Sequence, residues 1–243
     1  MPRFFVSPHE VNARFMVLTG ENAAHARVLR LKNGDEVTVC DGSGTDYRCT
    51  VSDVAVGQIS LAVHAVVPAQ SEAAVECAIY MAFAKADKFE HVIQKATELG
   101  AAELVCFPSS RCVSRPEERS LGKKLERWQK IAASAAEQSR RGRVPKVLAL
   151  PSYAAALERA AKAELAVCFY ENEQSRTFRA AIEAAPFRTA ALLTGPEGGF
   201  STEEIDRAAA AGLQICTLGR RILRCETAPL CALSALMYAA GEF

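Results

Sequence analysis

The sequence has no Cys-x-x-Cys pair, and its four histidines, His9, His25, His64 and His91, lie far apart. Zinc sites built on paired cysteines or clustered histidines are thereby excluded, and no metal is expected. The nine cysteines are an odd number, and Cys77, Cys106, Cys168 and Cys216 stand inside apolar runs. They read as small buried hydrophobes of a reducing compartment rather than as half-cystines. No apolar run approaches membrane-spanning length, and the opening "MPRFFVSPHE" holds no long apolar segment. The expectation is a soluble, cytoplasmic protein without a membrane partner. A Gly-Lys-Ser/Thr phosphate loop is missing, and so is a G-x-G-x-x-G dinucleotide fingerprint. Both absences speak against the commonest nucleotide-dependent α/β proteins.

An excess of one charge is lacking too: the net charge is +1. The distribution is more informative. Between Arg111 and Lys146, 11 Lys/Arg stand against 4 Asp/Glu, a local excess of +7 in an otherwise slightly acidic chain. Such a segment is either a solvated helix face or a footprint for a polyanion.

The first seventy residues have β texture. "RFMVLTG" reads as a strand, "ENAAHARVLRLKNG" as a short helix, and "DEVTVCDGSGTDYRCTVSDVAVGQISLAV" as three strands joined by Gly-containing turns. Together they predict a small barrel, residues 1–70, followed by the linker "VPAQSEAAVE". From residue 75 to 243 the texture alternates. The strand-like runs are "CAIYMAF", "ELVCFPSS", "PKVLAL", "ELAVCFY", "TAALLTG" and "QICTLG", with helical segments between most of them. This is the pattern of a mostly parallel α/β sheet covered by helices. One helix is expected over Asp87–Leu99, with Asp87 and Glu90 as a capping box, Gly100 as terminator, and Phe89, Val92, Ile93, Ala96 and Leu99 on one face. A longer one is expected from Glu117 to Arg141, ended by Gly142, with Leu121, Leu125, Trp128, Ala132 and Ala135 inward. The last helix, "TAPLCALSALMYAA", is apolar nearly all round. It must be buried inside the fold or against a second chain, and a dimer interface is the favoured reading.

Two loops at the sheet's carboxyl edge stand out. In "LTGPEGGFSTEEI" a strand stops at Gly195, turns through Pro196, Glu197, Gly198 and Gly199, and restarts as a helix capped by Ser201 and Glu204. A tight turn explains one glycine; the second, beside Glu197, points to a ligand pressed against bare backbone. Glu197 would repel a phosphate and suits a cationic or hydrogen-bond-donating ligand. The other loop, "GRRILRCETAPL", places Ile222 and Leu223 among three arginines, a fold-back expected to pack onto the core.

These two stretches resemble the signature loops of the SPOUT methyltransferases. More narrowly, the chain is similar to the RsmE-type family that methylates N3 of uridine 1498 in 16S ribosomal RNA. "KADKFEHVIQKATELG", Arg127-Trp128, "AEQSRRGRVP", "PRFFV" and "HARVLRL" follow in the family's order over essentially the whole chain. Two small residues depart from the pattern: Ala86 stands where glycine is expected and Cys225 where threonine is expected.

The resemblance implies a C-terminal parallel sheet with a trefoil knot and an RNA-binding PUA-like β-barrel before it. It also implies S-adenosylmethionine as cofactor, ribosomal RNA or the 30S subunit as partner, and a homodimer. The cofactor loops map onto Thr194, Gly195, Pro196, Glu197, Gly198 and Gly199, and onto Leu218, Gly219, Arg220, Ile222, Leu223 and Arg224. Thr227 and a wall at Tyr170 and Glu171 complete the cofactor site. Methyl transfer to N3 needs an unpaired or flipped base and loss of the N3 proton. Arg224 is assigned to the charge developing on the uracil oxygens, and Glu197, Glu226 or water to the proton. RNA contacts are assigned to Arg3, Arg30, Lys88, Arg111, Arg115, Arg127, Arg140 and Arg141. The alternatives are a methyltransferase of the same type acting on another nucleotide, and a non-catalytic RNA-binding protein on the same scaffold.

Overall fold

The computed structural model describes residues 1–7 and 10–243, apart from the side chains of Ala86 and Glu118; His9 lies outside the described residues. The chain divides into two compact units. The first comprises residues 1–72 with 136–144, the second 73–135 with 145–243. Residues 136–144, within the span expected for the α/β domain, thus belong with the first unit.

In the first unit β1 (Arg3–Phe5), β2 (Phe15–Thr19), β3 (Glu36–Cys40), β4 (Thr45–Ala55) and β5 (Gln58–Pro68) form one sheet in the order β1-β3-β4-β5-β2, with helix α1 (Gly20–Val28) after β2. All pairings are antiparallel except β1 with β3. The alternation visible in β2 is realised: Met16 and Leu18 are buried, Phe15 and Val17 exposed. Register shifts in β4, at Arg48/Cys49 and Val51/Asp53, bend the long β4–β5 ribbon and curl the sheet around Phe4, Val37, Val39, Val51 and Leu61.

Residues 136–144 are tied to this unit by charge. The Arg141 guanidinium donates to Glu72 at 2.6 Å, and the same carboxylate accepts the amides of Gly142 at 2.8 Å and Arg143 at 3.1 Å. Arg3 grips both carboxylate oxygens of Asp46 at 2.6 Å and donates to the Arg141 carbonyl at 3.0 Å. Gly142 is pressed so close that an added Cβ would lie 2.1 Å from the Ala69 side chain. That glycine therefore serves close approach, not helix termination.

In the second unit six strands are all parallel: β6 (Glu76–Ala82), β7 (Glu103–Phe107), β8 (Lys146–Ala149), β9 (Leu165–Phe169), β10 (Thr189–Thr194) and β11 (Gln214–Cys216). Their order is β11-β9-β10-β6-β7-β8. These are the six runs picked out in the sequence. The helices are α2 (Ala86–Glu98), α3 (Glu118–Gln138), α4 (Tyr153–Ala160), α5 (Phe178–Glu183), α6 (Thr202–Ala210) and α7 (Thr227–Ala239). Cys77, Cys106, Cys168 and Cys216 are fully buried free thiols in the strands, as expected of small hydrophobes.

Three local expectations are corrected. Helix α2 has Lys85 at its N-cap with no side-chain cap of its own, so Asp87 and Glu90 form no capping box. Its other end is as expected: Gly100 is left-handed at φ +98°, and the Ala101 amide bonds back to Ala96. Helix α3 ends at Gln138 rather than Arg141; Arg140, at φ +60°, takes the terminating position usually given to glycine. Arg141, the residue after it, is tied to Glu72. Helix α7 buries one face, Ala232, Leu233, Leu236 and Met237, while Cys231 and Tyr238 on the other remain exposed.

Burial alone would push the Glu72 carboxyl up, but the Arg141 guanidinium and the two amides outweigh it and hold it below the ordinary range. A depressed carboxyl stabilises the fold above its unfolded pKa of about 4.3, and that stability is lost as pH falls through the folded value. Arg141→Ala should cost about 3 kcal/mol, read by urea unfolding at neutral pH, because it strands a buried charge. Glu72→Gln should flatten the acid limb of stability against pH; an unchanged limb would show that the pair is not what fixes this segment.

Candidate functional site

The first loop follows β10. Pro196 accepts the Gly199 amide at 3.0 Å, closing a tight turn with Glu197 and Gly198 at its corner. Each glycine here has a partner inside the protein. A Cβ on Gly195 would lie 3.1 Å from the Gly199 carbonyl carbon, and one on Gly198 would lie 3.1 Å from the Arg111 Cβ. Gly199 is left-handed at φ +65° and faces the Glu171 carboxylate, 2.5 Å from where its Cβ would stand. Intramolecular packing accounts for each of these glycines, and together they leave a bare backbone wall.

The expected cap on α6 is present. Ser201 Oγ accepts the Glu204 amide at 3.2 Å, and Glu204 accepts the Ser201 amide at 3.0 Å. The buried Glu204 carboxylate also accepts the amide and hydroxyl of Ser110, at 2.7 and 2.9 Å. One acid therefore caps a helix and pins the loop after β7, from which Arg111 donates to the Gly198 carbonyl at 3.1 Å.

The second loop follows β11. Thr217 pairs in parallel with Thr177; its amide donates to Arg176 and its carbonyl accepts Phe178. Gly219 is left-handed at φ +105°. The loop after β9 joins them, the Tyr170 amide donating to the Cys216 carbonyl at 3.1 Å. Because β9, β10 and β11 are parallel neighbours, the three loops meet at one edge and enclose a cavity of about 500 Å³. That volume suits a nucleoside-sized ligand.

The cavity brings together most of the cofactor positions expected from sequence: Tyr170, Thr194 to Gly199, and Leu218 to Arg224. Thr227 does not line it; as first residue of α7 it donates its amide to the Arg224 carbonyl. Ile222 does not pack on the core as expected, being 85% exposed at the mouth. Phe169, Phe200, Thr217 and Ala228 also line the cavity, as do Arg221 and Cys225, none of them among the expected cofactor residues. The signal for Phe169 and Thr217 was their place at the carboxyl ends of strands.

Among the basic candidates, Lys88 lies in the cavity, its ammonium 3.4 Å from Glu197 and 3.3 Å from Glu226. Arg3 and Arg141 are paired with Asp46 and Glu72, each at 2.6 Å. Arg127 is exposed but paired with Glu90 at 2.7 Å. Arg115 donates to the Ser109 carbonyl. Arg30 and Arg140 are exposed and left-handed, at φ +57° and +60°.

Burial works against charge on Lys88, Glu197 and Glu226 alike, yet each is shifted towards its charged form. Lys88 is raised by hydrogen bonds to Glu226, Cys225 and Glu197. Glu197 is lowered by its own amide, the Lys85 amide and Lys88. Glu226 is lowered by its own amide, the Cys225 thiol and Lys88. Burial and Glu226 push the Cys225 thiol up to about 11, so it stays protonated near neutrality.

Residues 71–237 match the profile of the RNA methyltransferase domain family, and residues 18–61 that of the RNA methyltransferase PUA domain. The chain is 36% identical over 227 residues to the ribosomal RNA small subunit methyltransferase E of Bacillus subtilis, covering 91% of this chain and 89% of that protein. It is 35% identical to the protein of the same name from Synechocystis, over 96% of this chain and 76% of that one. The crystal structure of a ribosomal RNA small subunit methyltransferase E from Neisseria gonorrhoeae bound to S-adenosyl methionine superposes with a TM-score of 0.85 at 29% identity, covering 98% and 97% of the two chains.

Gly199→Ala should destabilise the chain by roughly 1–2 kcal/mol of left-handed strain plus the collision with Glu171. Adding Glu171→Ala should recover only the collision part. Thermal denaturation of the single and double variants checks this; full recovery would show that backbone conformation is not the constraint.

Proposed function

We infer the activity from one premise: this chain belongs to the RNA methyltransferase family that includes the ribosomal RNA small subunit methyltransferases E. It is an S-adenosylmethionine-dependent ribosomal RNA methyltransferase. We propose that it methylates N3 of a uridine in the small-subunit RNA, at the position of uridine 1498. The observation that carries the proposal is the backbone-walled cavity at the shared edge of β9, β10 and β11.

The cavity fits the cofactor in kind. Glycine-bearing main chain from 195 to 199 and 218 to 219 offers amides and carbonyls to an adenosine, Leu223 offers apolar surface, and the Glu171 carboxylate stands at the wall for a donor or cation. When bound, S-adenosylmethionine supplies a methyl group activated by the positive charge on sulfur. The protein's task is then to align an unpaired base with it and to manage one proton. Arg224, exposed on the cavity lining, can stabilise the negative charge on the uracil oxygens as N3 loses its hydrogen. Glu226, Glu197 or water accepts that hydrogen; both carboxyls are held ionised, as an acceptor must be.

The exposed apolar face of α7, with Cys231 and Tyr238, supports pairing of two copies of the chain. The pairing of Thr217 with Thr177, inside the loop that follows β9, supports a threaded chain end. RNA contact falls to exposed cations that are not spent on partners within their own unit, foremost Arg140 and Arg30. Both occupy a conformation that glycine tolerates better, and a site kept at a cost in strain points to use of the side chain. Among the described residues no helix is long and apolar enough to cross a membrane.

The direct test is incubation with labelled S-adenosylmethionine and small ribosomal subunits, followed by mapping of the modified nucleotide. Label on another nucleotide would overturn the uridine assignment, and cofactor-free RNA binding would favour the non-catalytic alternative. Arg224→Ala should lower turnover about a hundredfold with cofactor affinity within a few-fold of the parent, by calorimetry and single-turnover kinetics; near-normal turnover would leave Arg224 a structural role only. Arg140→Gly should keep or raise thermal stability, by up to about 1 kcal/mol, while weakening RNA binding and flattening its salt dependence. An unchanged salt slope would remove Arg140 from the contact set.

A further inference from the structure

The Lys88 cluster joins three charged side chains, of which Lys88 and Glu197 line the cavity. Three elements meet there. Lys88 projects from the first turn of α2, Glu197 sits in the loop after β10, and Glu226 is the N-cap of α7. Their side chains are only 23%, 23% and 20% exposed. The ammonium stands 3.4 Å from Glu197, 3.3 Å from Glu226 and 3.5 Å from the Cys225 sulfur, and Cys225 in turn donates to Glu226 at 3.2 Å. Glu197 also accepts the Lys85 amide at 3.2 Å. Helix α2 lacks a side-chain cap of its own, and Glu197 supplies that cap from a distant loop, where a negative charge complements the helix dipole.

We propose that Lys88 is the positioning residue of the methyl-transfer pocket: it clamps the β10 loop to the entry of α7 and so fixes the two walls between which the cofactor lies. The clamp rests on the reading of the cavity as the S-adenosylmethionine site. Its logic is electrostatic. Two carboxylates that share one ammonium cannot stay together without it: they would repel, and burial would drive one of them to take up a proton. The loop from Gly219 to Arg224 is tied at its ends, Gly219 to the Thr217 hydroxyl and the Arg224 carbonyl to the amides of Thr227 and Ala228, while the Ile222 and Arg224 side chains are exposed. Lys88 therefore acts through Glu197 and Glu226 and not on the reacting atoms. The charged groups facing the ammonium are Glu197 from the β10 loop and Glu226 from α7, with the Cys225 thiol beside them and the Arg224 cation on the neighbouring lining.

The test compares the full chain with Lys88→Met and Lys88→Arg. Hydrogen exchange without cofactor should accelerate in Lys88→Met at the amides of 195–199 and 218–224 together, and return towards the parent rate in Lys88→Arg. Calorimetry with S-adenosylmethionine should show roughly tenfold weaker binding for Lys88→Met. That affinity should also fall at higher pH on acidification than the parent's, because Glu197 and Glu226 then titrate nearer the ordinary carboxylate range or above it. Unchanged exchange in both loops, or an unchanged affinity and pH profile, would overturn the proposal. A parent chain that binds no S-adenosylmethionine would overturn the reading of the cavity instead, while the exchange data would still decide whether the clamp exists. Should Lys88→Met fail to fold, Glu226→Gln removes one arm only, and the same two measurements apply.

Discussion

The parallel run of all six strands in the second unit is the constraint on which the site depends. In a parallel sheet every strand delivers its following loop to the same edge, and neighbouring strands set those loops side by side. With β10 between β9 and β6, and β11 beyond β9, loops far apart in sequence become the walls of one cavity. Buried strands such as "LAVCF" and "TAALLT" hold this frame rigid, which lets the loops be irregular without drifting.

On that frame the polar groups divide their labour. Glu204 holds the helix after the first loop and, through Ser110, the loop after β7. Glu197 joins the loop after β10 to α2 through the Lys85 amide and Lys88, and Lys88 also pairs with Glu226 at the start of α7. The β10 loop presents bare main chain to the cavity at Gly195, Gly198 and Gly199, where a side chain would collide with the Gly199 backbone, Arg111 or Glu171. A site read by main-chain groups tolerates much variation in neighbouring side chains, since backbone donors and acceptors are the same for every residue except proline.

Local patterns in the sequence were reliable where a single element decides its own conformation. The six apolar runs, the capping box at Ser201 and Glu204, and the glycine terminator of α2 follow from side-chain period and from backbone sterics within a few residues. They misled where a distant partner intervenes. Asp87 and Glu90 look like a capping box, but Glu197 occupies that role from more than a hundred residues away. Gly142 looks like a helix terminator, but it is the close approach of Ala69 that demands a glycine there, and α3 stops earlier. Arg141, Arg3 and Lys88 look alike as free cations in a list of residues; only their carboxylate partners distinguish a buried tie from an available surface charge.

By itself the sequence determined the strands and helices, the two-part texture of the chain and the two loops that line the cavity. Each of these depends on apolar period or glycine placement over short spans. Tertiary structure alone decided which carboxylate holds which cation, that Ile222 lies open at the cavity mouth, and that residues 136–144 belong with the first unit. Those outcomes turn on distances between residues remote in the chain, and no local pattern encodes such distances.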